Sequence, residues 1–134
     1  MMMTPSRLTV IAIGLLGLVN LVRGGIHLFA PDGGAVSIAG LDISAAPEAI
    51  LFLFATLGVG QIAMGLVDLA VAGRFRAFAP ALLVIHVVQL ALAVLALYVL
   101  KPPPVPVPGQ VFNLAIFVLL AALAAYEFLR GRRA

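Results

Sequence analysis

Eight polar side chains sit inside long apolar runs of this sequence. They are Asn20, Arg23 and His27 in the first run, Gln61 and Asp68 in the second, His86 and Gln89 in the third, and Asn113 in the fourth. Arg23 carries a permanent charge and five donors, a match for an anionic or carbonyl-bearing group. His27 and His86 are the groups able to exchange a proton near neutral pH. The four amides offer donors and acceptors together. Asn20, Arg23 and His27 are spaced three and four apart, so at about 100° per residue they fall within about 60° on one helix face. Gly17 and Gly24 flank that face on the Asn20 side. Gly58, Gln61, Gly65 and Asp68 share a face within about 80° in the second run. His86 and Gln89 are three apart in the third run, and Asn113 lies on a side similar to Ala124 and Glu127 in the fourth.

Other chemistries find little support. The chain has no Cys, so thiolate chemistry, disulfides and Cys-ligated iron or zinc are excluded. Ser6, Ser37 and Ser44 lie outside the apolar runs, and no Gly-x-Ser-x-Gly is present. Gly33-Gly34 is not followed by Gly-Lys-Ser/Thr, so it reads as a turn and not as a phosphate loop. The Phe residues and the two Tyr residues scatter and build no aromatic cage. No cofactor is expected.

The elements that must position the polar side chains follow from composition. Of 134 residues, 64% are hydrophobic and 10% charged, against about 25% charged in average soluble domains. So few polar groups cannot cover a water-facing surface or a nucleic acid. The chain reads as an integral membrane protein, with the lipid bilayer as its first partner and no nucleic acid among the others. A spanning helix needs about 20 mostly apolar residues. Four stretches qualify: Leu8 to Ala30, Glu48 to Ala72, Ala77 to Leu100 and Gln110 to Leu129. They are long, continuous and rich in Leu and Ala, unlike the short alternating strands of a barrel. The expected fold is all-α: a single membrane domain, a four-transmembrane-helix bundle with an inward-facing polar axis.

The connectors agree. Pro31-Asp32-Gly33-Gly34 stops the first helix. Ser44 reads as a cap for the second, with Pro47 in its first turn and Glu48 at its positive dipole end. Gly73 ends the second helix. Lys101 to Gly109 holds five prolines and reads as a polyproline-type spacer, roughly 28 Å if fully extended; docking of another protein is the lesser reading. The N-terminus imitates a signal peptide, but its apolar run outlasts the roughly 7–15 residues of a signal core. The one small-x-small site, Ala35-Val36-Ser37, follows the turn, so cleavage is not expected.

Charge gives an orientation. Arg7, Arg74, Arg76, Arg130, Arg132 and Arg133 flank one side of the spans, Lys101 alone flanks the other, and Arg23 is inside a span. The positive-inside rule then places both termini in the cytoplasm of a multi-pass protein of the cell inner membrane.

With the cytoplasmic helix ends set at one plane, depth follows from a rise of about 1.5 Å per residue. Asn20, Gln61 and Gln89 fall at roughly 16–18 Å, a midplane layer, with Arg23 and Asn113 just outside it at roughly 22–24 Å. His86 falls slightly below the layer with no carboxylate at its level. His27 falls near the outer mouth, beside Asp32 and Glu48. Asp68 and Glu127 fall near the inner rim, within reach of Arg7, Arg74 or Arg130. Arg23 and Asp68 come out about 15 Å apart in depth, which rejects a direct ion pair. The same separation between His27 and His86 rejects joint ligation of a metal or haem. A proton path along His27, Arg23, Gln61, His86 and Asp68 fits this layout, and so does polar glue between helices.

Three readings of Arg23 remain open. It snorkels to water or lipid phosphate on its long stem, it lines a pocket for an anionic or carbonyl-bearing ligand, or it pairs with a carboxylate of another subunit.

The stretch Gly17-Leu18-Val19-Asn20-Leu21-Val22-Arg23-Gly24-Gly25-Ile26-His27-Leu28-Phe29-Ala30-Pro31 resembles the first span of small bacterial four-helix proteins of the DoxX-like group. The four-span layout extends the likeness over most of the chain. Some members of that group are linked to quinone-coupled sulfur oxidation, but no residue here carries that chemistry over. Two function classes follow from the sequence. One is a protein binding a lipid, quinone or small anionic ligand, or serving as an accessory subunit of a larger membrane complex. The other is a small, proton-linked transporter working as a homo-oligomer. An enzyme is the weaker option. A continuous water-accessible column from His27 to Asp68 would favour transport, and a pocket closed at the midplane would favour binding.

Overall fold

The computed structural model describes residues 4–131. Arg132 and Arg133, counted in the charge split, lie outside the described residues. The described chain is helical, with no strand. Four helical stretches are long and apolar enough to cross a membrane: Arg7–Phe29, Pro47–Gly73, Arg76–Leu100 and Pro108–Gly131. The first, second and fourth are single α-helices, here α1, α2 and α4. The third is composite. A 3-10 turn at Arg76–Phe78 leads into α3, Ala79–Leu95, which relaxes into a π-helical turn at Ala96–Leu100.

Local chemistry sets the ends. Ser6 caps α1, its hydroxyl accepting from the Thr9 amide at 3.1 Å. Beyond α1, Asp32 folds the connector on itself by accepting from the amides of Gly34, Val36 and Ser37, and Gly33 and Gly34 take the positive φ values that this turn requires. The Ser44 side chain does not cap α2, as its spacing had suggested. The helix begins at Pro47 behind Ala46, with no side-chain cap, and Ser44 instead donates its amide to Asp42. Pro47 lacks an N–H, so one fewer orphan donor calls for a cap. At the other connector, Gln110 of α4 donates to the Leu97 carbonyl and accepts from the Val107 amide, tying α4 to the end of the third span.

The α1–α2 pair is joined backbone to backbone. A Cβ placed on Gly24 would lie 2.7 Å from the Gly58 carbonyl oxygen, and one on Gly65 would lie 2.8 Å from that of Gly17. Small residues permit this approach, and in lipid such packing is a main source of helix association. Ile13, Val71, Ala79, Leu82, Leu83 and Leu120 form one buried cluster joining all four helices. Leu15, Phe52, Leu53, Leu92 and Leu119 are among the large apolar side chains left exposed on the bundle's outside, as a lipid-facing surface requires. The end bearing Arg7, Arg74, Arg76 and Arg130 is called the basic end below, and the opposite one, with the two longer connectors, the loop end.

Candidate functional site

The eight polar side chains sort into three groups. The first centres on a buried carboxylate. Asp68 of α2 is wholly buried. It accepts from Asn20 Nδ2 of α1 at 3.0 Å through Oδ2, and through Oδ1 it meets His86 Nε2 of α3 at 2.7 Å. A carboxylate only accepts, so with Asp68 ionised Nε2 carries the proton of this bond.

Two expectations are thereby corrected. Asp68 is not at the rim beside arginines, and His86 does have a carboxylate at its level. The error lies in the common plane assumed for the helix ends. Gly14 faces Ala72, with the Ala72 Cβ 3.4 Å from a Cβ built on Gly14. The last turn of α2 is therefore level with the second turn of α1, roughly 9 Å deeper than assumed. This shift carries Asp68 from the rim to the level of His86. The rejection of an Arg23–Asp68 pair survives it: the ion pairs among the described residues are His86–Asp68 and Arg130–Glu127.

The second group surrounds open space. Arg23, Asn20, Gln61, His86, Gln89 and Asn113 all line an inner chamber of about 210 Å³. Gln89 is exposed at its edge. Arg23 donates through Nη1 to Asn113 Oδ1 at 3.4 Å, and its guanidinium carbon lies 5.3 Å from the centre of the Phe112 ring. The hydrogen bond is longer than the 2.7–3.2 Å that N–H···O bonds prefer. The guanidinium makes no other among the described residues. Gln61 Oε1 is buried and has no hydrogen-bond partner.

Arg23 and Asn113, with Val19, Leu57 and Phe112, also line a second, larger cavity of about 810 Å³ toward the loop end. Its remaining walls are almost wholly apolar, from Leu18, Val22, Ile26, Ile38, Phe54 and Leu97 to Pro103, Pro108 and the backbone of Gly34 and Gly109. The third group is His27 alone, at this cavity's edge. Its Nδ1–H donates to the Gly33 carbonyl at 2.7 Å, and its ring stands edge-on to Phe54. It meets neither Asp32 nor Glu48 in a hydrogen bond.

The sequence reading puts Glu127 within reach of Arg130, which the structure bears out, but not the buried polar cluster that Glu127 makes with Ser6 and Thr9 at the basic end. Glu127 of α4 accepts from the Ser6 amide at 2.9 Å and from the Thr9 hydroxyl, and pairs with Arg130 at 3.2 Å. Arg130 also donates to the Thr4 carbonyl. The available signal was Ser6-x-x-Thr9 at the start of α1, a capping pattern, opposite a carboxylate one turn from the end of α4. The cluster closes the bundle there and lines neither cavity.

Among the described residues no group of three or more His, Asp or Glu side chains is placed to hold a metal ion. Comparison of the chain with protein-family models, with curated proteins and with solved structures gives no match.

Proposed function

We propose that this is a membrane-embedded binding protein whose two joined cavities hold an amphipathic molecule, apolar chain toward the loop end and anionic or carbonyl-bearing head at Arg23. The observation that carries the reading is the position of Arg23. It is a permanent charge with one long hydrogen bond, no carboxylate partner among the described residues, and a place in the walls of both the apolar and the polar cavity. Ligand sites are commonly apolar clefts with a few convergent polar groups. The Asp68 carboxylate is taken up by Asn20 and His86 and lines neither cavity.

Binding is favoured over transport because the bundle closes below the inner chamber. Thr9, Ile13 and Asp68 are wholly buried there and Leu83 nearly so. The DoxX-like resemblance of the first span agrees with four spans and adds no residue to the site. The charge split supports a basic end in the cytoplasm of a cell inner membrane. Single Cys probes at Ser37 and Phe75 test this: the Ser37 probe reacts with an impermeant reagent in intact cells, and the reverse pattern overturns the orientation.

The ligand reading is tested with dodecanoate and dodecanol, which share a chain and differ in head. In detergent-solubilised protein the acid binds more tightly than the alcohol, and Arg23→Gln removes the difference. Arg23→Lys restores it in part, because a compact ammonium lacks the planar fork. Equal binding of acid and alcohol by the unaltered protein sinks the reading.

A further inference from the structure

The inner chamber holds a proton-accepting side chain as well as a fixed charge. His86 and Arg23 both line it. Asp68 Oδ1 engages His86 Nε2 at 2.7 Å, and Asn20 Nδ2 donates to the other carboxylate oxygen at 3.0 Å. With Asp68 ionised, Nε2 carries the proton, so the neutral imidazole keeps its lone pair on Nδ1. Nδ1 makes no hydrogen bond among the described residues. The fully enclosed side-chain atoms without a partner are Gln61 Oε1 and Arg130 Nε. Nδ1 is neither of these, so it keeps open surface, and of the two cavities His86 lines only the inner one.

The charges around His86 decide what an anionic head must bring with it. From α1 the chamber receives Arg23, and from α2 His86 receives Asp68. α3 itself adds the neutral Gln89, and α4 the neutral Asn113. The carboxylate of α4, Glu127, is held at the basic end by Ser6, Thr9 and Arg130. With His86 neutral, the charges of Arg23 and Asp68 cancel. A carboxylate added alone leaves one negative charge without compensation inside the bundle, which is costly. One proton on His86 restores the balance, with the ligand carboxylate at Arg23 and an imidazolium at Asp68. Without the ligand, a protonated His86 would share the chamber with Arg23, so proton and ligand favour each other. We propose that the site takes a carboxylic amphiphile together with one proton, as the electroneutral acid, and that His86 Nδ1 holds that proton. The O–H bond of the acid breaks, its electron pair stays on the carboxylate, and an N–H bond forms at Nδ1. The chamber, at about 210 Å³, is equivalent to a sphere about 7 Å across, so a head inside it is close to both side chains. This rests on the reading of the cavities as a binding site for an amphiphile.

Dodecanoate and dodecanol on the unaltered protein provide the test, in one detergent and with blanks into empty micelles subtracted. Calorimetric titration at pH 8 in buffers of different ionisation enthalpy counts protons. Dodecanoate is expected to bind with uptake of about one proton, and its affinity to fall about tenfold per pH unit above pH 8, as linkage to one proton requires. Dodecanol takes up none, and its affinity does not follow pH. Side-chain nitrogen spectra, assigned to residue 86 through the backbone, should show one protonated ring nitrogen in the free protein and two with dodecanoate bound. His86→Gln keeps a donor for Asp68 and loses the proton site, so both the uptake and the pH slope should vanish. Tighter binding of dodecanoate than of dodecanol without proton uptake overturns the proposal and leaves the amphiphile reading standing. Equal binding of the two defeats the amphiphile reading itself. Uptake that persists in folded His86→Gln, or that leaves His86 with one protonated nitrogen, overturns the assignment to His86. If His86→Gln does not fold, the nitrogen spectra of the unaltered protein decide.

Discussion

The two halves of this bundle are built from similar helices and packed in opposite ways. Toward the basic end, Ile13, Val71, Ala79, Leu82, Leu83 and Leu120 fill the space between all four helices, and the buried carboxylates Asp68 and Glu127 are both hydrogen-bonded. Toward the loop end the same helices line two cavities that are partly open at their sides, and Arg23, which lines both, makes one long hydrogen bond. Lipid outside a bundle is as apolar as leucine, so a membrane protein gains little by burying apolar side chains for their own sake. Close packing and satisfied polar groups must then hold the helices together, and here they are concentrated in one half. The other half is free to hold space. A filled half and a half that holds space separate a structural role from a binding role.

The largest effect is expected where the comparison breaks down, because the α1–α2 seam runs through both halves. Gly17–Gly65 and Gly24–Gly58 place backbone against backbone. Leucine at Gly24 or Gly65 has nowhere to go, since the nearest atom it would meet at each is a carbonyl oxygen of the facing main chain. Both variants should lose most folded protein, as judged by size-exclusion chromatography in mild detergent. Leu100→Ala and Leu129→Ala, at side chains 65% and 55% exposed, should stay within about 0.5 kcal/mol of the parent. Equal losses in all four would show that the seam is not where the bundle is held.

Asp68 tests the filled half. Removing a buried acceptor leaves its donors unsatisfied, at about 1–3 kcal/mol for each. Asp68→Ala should lower the thermal midpoint strongly, since it strands His86 and Asn20 together. The double change Asp68→Leu with His86→Leu should recover much of the loss, because replacing both partners by apolar groups is often neutral. If the double variant is as unstable as Asp68→Ala, the pair is not what makes Asp68 important.

How far the sequence revealed these halves depends on which physical rule governs each. Four spans and the glycine faces follow from local patterns of hydropathy and residue size, and the structure keeps them, while the connectors hold their places without the Ser44 cap. Asn113 beside Arg23 follows too, because both were placed at one depth and on inward faces. The Asn20–Asp68–His86 cluster does not. It depends on how far α2 slides along α1, and that offset is fixed by Gly14 facing Ala72, a contact between distant residues. One wrong reference plane was enough to put Asp68 at the rim and leave His86 without a carboxylate. Glu127 near Arg130 was legible, but its contacts with Ser6 and Thr9 were missed for another reason: Ser6 was judged as a nucleophile, and its role is to cap a helix. The cavities themselves leave no local signature, since a side chain facing empty space and one facing a neighbour look alike in sequence.

Arg23 tests the half that holds space, and the effect on stability should be small. Its one hydrogen bond is long, and the rest of the guanidinium faces the cavities. Arg23→Gln should therefore shift folding stability by less than about 1 kcal/mol, the net worth of an ordinary hydrogen bond, while abolishing the preference for an acid over an alcohol. A thermal melt without ligand measures the first and titration the second. A loss as large as that of Asp68→Ala would mean that Arg23 belongs to the framework and that the two halves do not differ in the way proposed.

The smallest effect concerns the connector that covers the larger cavity, and it depends on pH. Asp32 is held at about 2, below its ordinary value of 3.8, chiefly by the Ser37 amide and then by that of Gly34. A depressed carboxylate stabilises the folded form above its unfolded value, and that contribution is lost as pH falls through the folded one. The connector should thus be fully ordered at neutral pH and above about 4, and should loosen between 3.8 and about 2. Asp32 lies in a connector outside the helices, so global stability should barely change. The local signal is exchange of the Gly34, Val36 and Ser37 amides, which all donate to this carboxylate. Hydrogen exchange should show these three amides protected at pH 5 and opening as pH approaches 2, after correction for intrinsic rates, while the α1–α2 seam stays closed. Asp32→Asn should remove the pH dependence and leave the amides partly open throughout. Because Gly34 and Ile38 form part of the cavity wall, the same substitution should speed ligand release with little change in the acid-over-alcohol preference, which belongs to Arg23. Opening of the seam in the same pH window would place the titrating group elsewhere in the bundle.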